Sequence, residues 1–280
     1  MHTVHTLSDL RDARQRLGEC ALVPTMGNLH EGHLSLVAKA RESGLPVVAS
    51  IFVNRMQFAP TDDFDRYPRT LDADRTVLRA AGCDLVFAPA EAELYPQPQR
   101  FQVQPDPDLA AILEGQFRPG FFAGVCTVVM KLFCCVQPRV AVFGKKDYQQ
   151  QLILRRMAEQ FALPIDLQAG ETRRAPGGLA LSSRNAYLSA AEQAQATGLA
   201  RSLAQLAQAY RRRSAPLAEL ESNAMQGLAD SGWQPDYLTI RRRADLQPPV
   251  PGIDDDADSP LVALGAARLG ATRLIDNIEF

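Results

Sequence analysis

Two histidines, His30 and His33, stand three residues apart in the segment TMGNLHEGH (25–33), directly after an apolar run. The chain has only four histidines, and the other two, His2 and His5, lie in an N-terminal tail. Imidazoles at this spacing serve a metal site, a phosphate site or ordinary packing. Zinc needs a third and usually a fourth protein ligand. No third histidine is at hand, and the five cysteines (Cys20, Cys83, Cys126, Cys134, Cys135) form no CxxC pair. A strand that passes through Gly27 and Gly32 into a helix favours phosphate. It brings both rings to one side of a helix N-terminus, where backbone N–H groups and the helix dipole favour an anion. Imidazoles placed there can stabilise charge as a phosphorus centre is attacked.

Three further segments carry candidate chemistry. FGKKDYQQ (143–150) holds Lys145 and Lys146, two of the chain's four lysines, against 26 arginines. Lysine is a compact donor for phosphate oxygens, and Asp147 suits a helix cap or a ribose hydroxyl. GLALSSRNAYL (178–188) sets Ser182 and Ser183 before Arg184, whose guanidinium grips phosphate bidentately. SIFVNRMQFAPTDDFDRYPRT (50–70) places Asn54 and Gln57 just past an apolar run, and neutral amides suit the hydroxyls and carboxylate of a small molecule. Taken singly, the three also read as a capped surface helix, an N-cap with a turn, and a surface loop.

The elements that must position these residues alternate in type. Apolar runs at 20–25, 46–53, 84–89, 139–144 and 164–170 read as strands. Helical spacing appears at 32–43, 71–82 and 147–162, and the apolar segment 121–136 reads as a buried helix, its valines leaving a strand open. Strands alternating with helices imply a parallel sheet, hence an α/β, Rossmann-like doubly wound layer over residues 1–172. Past the basic, Pro/Gly-containing TRRAPGG (172–178), helices at 190–212 and 214–230 and strands at 235–241, 260–268 and 271–278 predict a second, smaller α+β domain, 173–280. The junction reads as a hinge that closes this domain over a ligand. Residues 248–260 read as a polar, acidic loop.

Composition bounds the function class. Apolar residues make up 46% of the 280, and the net charge is −2, so no global basic field attracts nucleic acid. The clusters Arg211–Arg213 and Arg241–Arg243 are the only hint of RNA contact and read as solvated edges. No apolar stretch is long enough for a transmembrane helix. An odd cysteine count without a framework pattern predicts buried thiols in a reducing cytoplasm.

In the order VPTMGNLHEGH, SIFVN, MQF, RYPRTL, KDYQQ and GLALSSRN, these segments resemble the pantothenate synthetase (pantoate–β-alanine ligase) family over nearly the whole chain. HxGH alone indicates only the wider nucleotidyltransferase superfamily. The resemblance implies that ATP and (R)-pantoate give pantoyl adenylate and pyrophosphate, and that β-alanine then displaces AMP to form pantothenate. It implies that Met26, Gly27, Asn28, Leu29, His30, Glu31, Gly32 and His33 line the ATP phosphates, with His33 as proton donor and His30 as its support. Gly144, Lys145, Lys146 and Asp147 are implied at ATP, with Lys146 on the phosphates. Leu181, Ser182, Ser183 and Arg184 close over it, and Arg173 stands where the family makes a backbone contact to adenine. Gln57, Gln150 and Asn54 are implied for pantoate, and Gln57 for β-alanine. Mg²⁺ arrives mainly on the ATP phosphates, with Asp74 as a candidate to assist, and a homodimer is implied. Arg55, Lys145 and Phe121 stand where the family usually has proline, glutamate and histidine. The nearest rival is another HxGH nucleotidyltransferase, and a more distant one is an RNA-binding protein that keeps an inactive nucleotide fold.

Overall fold

The computed structural model describes residues 1–60, 63–254 and 259–280. Parts of the loops expected at 50–70 and 248–260 therefore lie outside the described residues. The chain divides into two compact units, Met1–Lys145 with Gln150–Thr172, and Lys146–Gln149 with Arg173–Phe280.

Six strands build the first unit: β1 (His2–Val4), β2 (Ala21–Thr25), β3 (Val47–Ile51), β4 (Leu85–Phe87), β5 (Val140–Gly144) and β6 (Asp166–Gly170). They pair in parallel in the order β1-β4-β3-β2-β5-β6. The chain steps outward from β2 through β3 to β4 on one side, and from β5 to β6 on the other. The switch point therefore lies between β2 and β5, where an open α/β sheet leaves a crevice at its carboxyl ends. Those ends are Thr25 and Gly144, which lie at the start of two of the candidate segments.

The helices of this part are α1 (Leu7–Leu17), α2 (Glu31–Arg41), α3 (Leu71–Ala80), the single turns α4 (Glu91–Leu94), α5 (Pro107–Ala110) and α6 (Glu114–Phe117), then α7 (Phe121–Val136) and α8 (Tyr148–Gln160). Val23, Val47, Ala49 and Val142 pack against Val37 and Ala40 of α2 and Leu78 of α3. Full burial of each such valine or leucine side chain is worth about 1.5–3 kcal/mol. The segment 121–136 is a helix with most of its residues buried, on α1, β2 and the turn after β3. Burial nearly all round suits an apolar helix regardless of its β-branched valines.

The N-terminus is not a tail. His2–Val4 pairs with Leu85–Phe87 as a parallel edge strand. Three residues are too few to show an alternating pattern. Thr6 then caps α1 by accepting the Asp9 N–H at 3.1 Å, and His5 Nδ1 lies 2.7 Å from the Ala88 carbonyl oxygen.

In the second unit, α9 (Ala190–Gln195), α10 (Thr197–Arg211) and α11 (Leu217–Asp230) accompany the antiparallel sheet β7 (Gln234–Arg242), β8 (Leu261–Leu269) and β9 (Thr272–Glu279). Leu199, Leu203 and Leu206 of α10 share a core with Trp233, Ile240 and Ala263. The single helix expected at 190–212 is two, parted at Ala196, and nothing in the structure explains the break. The helix expected from 214 begins at Leu217, after Pro216, since proline fits a helix start and not its interior. The arginine clusters are engaged internally: Arg242 with Asp245 at 2.7 Å, Arg243 with Glu279 at 2.8 Å, and Arg211 with the Ser259 carbonyl at 2.9 Å.

Candidate active site

The turn between β2 and α2 is built around a buried carboxylate. Gly27 and Asn28 take positive φ, +84° and 51°. A Cβ on Gly27 would stand 3.0 Å from Asp74 Oδ2 and 3.2 Å from Ile51 Cγ2, so only glycine fits without displacement. Asp74 projects from the first turn of α3 and is 3% exposed. Its Oδ2 accepts the Asn28 N–H at 3.0 Å and the Thr70 hydroxyl at 3.1 Å, while Oδ1 accepts the Leu29 N–H at 2.8 Å. Hydrogen bonds to an ionised carboxylate are stronger than neutral ones. The residue considered for metal assistance thus anchors the turn. Thr25 fastens the other end, accepting the Gly27 N–H at 3.2 Å and donating to the Ser50 carbonyl at 2.8 Å.

His30 is the N-cap of α2. Its Nδ1 accepts the Gly32 N–H at 3.1 Å, and His33 Nδ1 accepts the His30 N–H at 3.3 Å. The ring centroids are 4.1 Å apart, tilted by 40°. Because each Nδ1 faces a backbone donor, each neutral ring carries its proton on Nε2. In the turn that leads into α2, the Asn28 and Leu29 N–H groups are taken by Asp74. At the helix start the His30 and Gly32 N–H groups are taken by the two histidine rings.

Past β3, the 3-10 turn Arg55–Gln57 fixes the two amides. Asn54 is 1% exposed. Its Nδ2 donates to Gln57 Oε1 at 3.1 Å and to the Gly124 carbonyl at 3.2 Å, and its Oδ1 accepts from the Tyr95 hydroxyl at 3.0 Å. Gln57 Nε2 then points to Met26 Sδ, 3.2 Å away, in the β2–α2 turn. The close seating of this turn on α7 requires Gly124, where a Cβ would collide with the Met56 carbonyl.

The departures at 55 and 121 have structural partners. Arg55 lies over the Phe64 ring at 3.8 Å and pairs with Glu91 at 3.4 Å. Phe121 carries the Arg118 guanidinium at 3.8 Å from its centroid, and Arg118 donates to the Gln57 carbonyl at 3.0 Å. Lys145 pairs with Glu171 at 2.6 Å. A cavity of about 280 Å³ beside the turn is lined by Met26, Gly27, Phe52, Arg69, Thr70 and Asp74, among others. Among the described residues no group of three His, Cys, Asp or Glu side chains could hold a metal ion.

The candidate residues fall into two sets. Met26–His33, Asn54, Gln57, Asp74, Gly144, Lys145 and Gln150 belong to the first unit, and Lys146, Asp147, Arg173 and Leu181–Arg184 to the second. Within the second, Asn277 Nδ2 donates to the Lys146 carbonyl at 2.9 Å, and Tyr148 donates to Glu279 at 2.8 Å. Arg174 makes a bidentate pair with buried Asp276, at 2.6 and 2.9 Å, and also donates to the Gly178 carbonyl. That pair closes the bend leading to Leu181, whose N–H donates to the Arg173 carbonyl at 2.9 Å. Ser182 caps the 3-10 turn Ser183–Tyr187. Sequence reasoning did not single out Tyr95, Arg118, Arg174 or Asn277. Each acts through a partner far away in the chain, and only the strand order could have suggested the pairings.

A family model described as pantoate-beta-alanine ligase matches residues 1–279. A pantothenate synthetase of Leptothrix cholodnii is 66% identical to this chain over 287 aligned positions, and one of Paracidovorax citrulli is 61% identical over 289, each covering 100% of both sequences. The crystal structure of pantothenate synthetase from Thermus thermophilus superposes with a TM-score of 0.91 at 42% identity, covering 100% of this chain and 99% of that one. A pantoate-beta-alanine ligase from Francisella tularensis, solved with β,γ-ATP and β-alanine, gives 0.79 at 30% identity, covering 100% and 97%.

Proposed function

We propose a division of labour among these residues from one premise: the chain belongs to the pantoate–β-alanine ligase family. It condenses pantoate with β-alanine at the expense of ATP, through a pantoyl adenylate. A pantoate carboxylate oxygen attacks the α-phosphorus, and pyrophosphate leaves. The β-alanine amine then attacks the acyl carbon, loses a proton, and AMP leaves. The first step places negative charge on the phosphoryl oxygens and asks for positioning and neutralisation more than for a protein nucleophile.

The observation that carries the assignment is the pair of imidazoles past the end of β2, beside the switch point, each with its Nδ1 on a backbone N–H group and hence its proton placed on Nε2. His33 and His30 donate to the phosphates of ATP, and His33 supplies a proton as charge builds. The rest of Met26–His33 shapes the cradle. Gly144–Asp147, with Lys146 foremost, and Leu181–Arg184 complete the ATP site, and the Arg173 backbone meets the adenine. Gln57 and Gln150 hold pantoate, and Gln57 also reaches β-alanine. The interactions of Asn54 support a place behind Gln57. Mg²⁺ enters on the ATP phosphates, in keeping with the occupied carboxylate of Asp74. The working protein is a cytoplasmic homodimer.

The test is AMP formation with Mg-ATP, pantoate and β-alanine, omitting each in turn. AMP appears only with all three. Steady AMP release without β-alanine, or a nucleotide-bearing final product, overturns the assignment and favours a nucleotidyltransferase.

A further inference from the structure

We propose that Tyr95 is a positioning residue for substrate binding: acting through Asn54, it determines which end of the Gln57 amide faces the substrate. The inference deepens the assignment of Gln57 to pantoate and rests on it.

The argument begins with an acceptor that has no alternative. The Gly124 carbonyl can only accept, so the Asn54 atom 3.2 Å from it must be Nδ2. This places Oδ1 at the Tyr95 hydroxyl, 3.0 Å away, which must donate. The second Nδ2 hydrogen goes to Gln57, so the atom 3.1 Å away is Oε1. Gln57 is thereby locked with Nε2 outward, beside Met26. One hydrogen of Nε2 meets a weak sulfur acceptor, and the other takes no partner among the described residues. A donor so presented suits a carboxylate or hydroxyl oxygen. The flipped amide would offer a carbonyl oxygen and repel a carboxylate.

Tyr95 is held for this task. It follows α4, with its N–H on the Glu91 carbonyl at 2.7 Å. Its ring packs on Phe52, centroids 5.9 Å apart, and under the Lys131 ammonium at 4.4 Å. The Arg55–Glu91 pair links α4 to the turn that bears Gln57. Burial, with Glu91 adding to it, pushes the phenol up to about 12, so it remains a donor throughout the working range. Without that hydroxyl, the buried Asn54 Oδ1 loses its donor, and the amide can rotate to seek another.

The test is a cycle of wild type, Tyr95→Phe, Gln57→Ala and the double variant, each checked by melting to be fully folded at the assay temperature. Tyr95→Phe is expected to raise the pantoate KM by about 5- to 10-fold, the loss of one buried hydrogen bond, and to leave the ATP KM within about twofold. In the Gln57→Ala background it should add less than about twofold, because nothing remains to orient. Asn54→Asp, which keeps the acceptor but loses both donors, should raise the pantoate KM as well. Should Tyr95→Phe leave the pantoate KM unchanged while Gln57→Ala raises it, the inference is overturned and the assignment of Gln57 survives. An equal effect of Tyr95→Phe in both backgrounds, or on ATP and pantoate alike, also overturns it. A pantoate KM indifferent to Gln57→Ala overturns the assignment itself.

Discussion

The sheet ends in two strand-to-helix turns beside the switch point, and they are built differently. The turn after β2 is closed upon itself. Asp74, Thr25 and the two histidines engage its backbone, all within one unit. The segment after β5 is divided. Lys145 pairs with Glu171 in the first unit, whereas the Lys146 carbonyl and the Tyr148 hydroxyl are fastened to Asn277 and Glu279 of the second. A turn that satisfies its own backbone holds donors in place before substrate arrives, the condition for stabilising charge that appears only in the transition state. A segment fastened at its backbone and at one hydroxyl suits binding and orientation. The first turn should therefore govern rate, and the second affinity.

His33→Ala breaks this contrast most sharply. It should lower kcat by about 100- to 1,000-fold, the usual loss for a transition-state donor, with an ATP KM within a few-fold of wild type. A steady-state assay in saturating pantoate and β-alanine reads this directly. Asp74→Ala comes next. It strips the Asn28 and Leu29 N–H groups of their buried acceptor, at a cost of about 1.5–3 kcal/mol. Thermal melting should fall and kcat with it. Asn277→Ala should raise the ATP KM by about 3- to 10-fold, the weight of one hydrogen bond, and leave kcat nearly unchanged. Lys145→Glu, which restores the family's usual residue, should change kcat/KM by less than about threefold. The pair it breaks has one member 77% exposed, and such pairs contribute less than about 1 kcal/mol.

The last expected effect, absent at neutral pH, is a pH dependence of stability. Burial pushes the Cys83 thiol from 9.0 to about 11, the Cys126 thiol from 9.0 to about 12, and Tyr95 from 10.0 to about 12. These groups stay protonated in the folded chain at pH values where the unfolded chain has lost their protons. The stability they contribute is complete below about pH 9 and is lost as pH rises toward about 12. Melting temperatures should therefore be level through neutrality and fall across that alkaline window. Cys126→Ala should make the fall shallower.

Much of the fold was legible because its signals are local. A continuous apolar run, a glycine and a helix opening with two histidines identify β2, its turn and α2 without any tertiary information. The same holds for β3, β5 and the α/β alternation. The edge strand His2–Val4 was not legible, since three residues become a strand only by pairing with β4. The candidate site shows the same division. The types and spacing of His30 and His33 pointed to a phosphate. The backbone groups that face each Nδ1 are local, but the turn that carries the pair is held by Asp74, more than 40 residues away. An aspartate in the first turn of a helix looks the same in sequence whether it caps that helix or anchors a distant loop. Arg55 and Phe121 read as departures from a family pattern. Their stacking on Phe64 and Arg118 emerges only once the loops are placed.

The central claim, that the β2–α2 turn acts on adenylation, is tested most directly by separating the two half-reactions in His33→Ala. Rapid-quench measurement of pyrophosphate formed from ATP and pantoate should show a rate constant about 100-fold or more below wild type. Conversion of supplied pantoyl adenylate by β-alanine should proceed within about threefold of the wild-type rate. Equal slowing of both steps, or a loss of ATP binding that matches the loss of rate, would contradict the account.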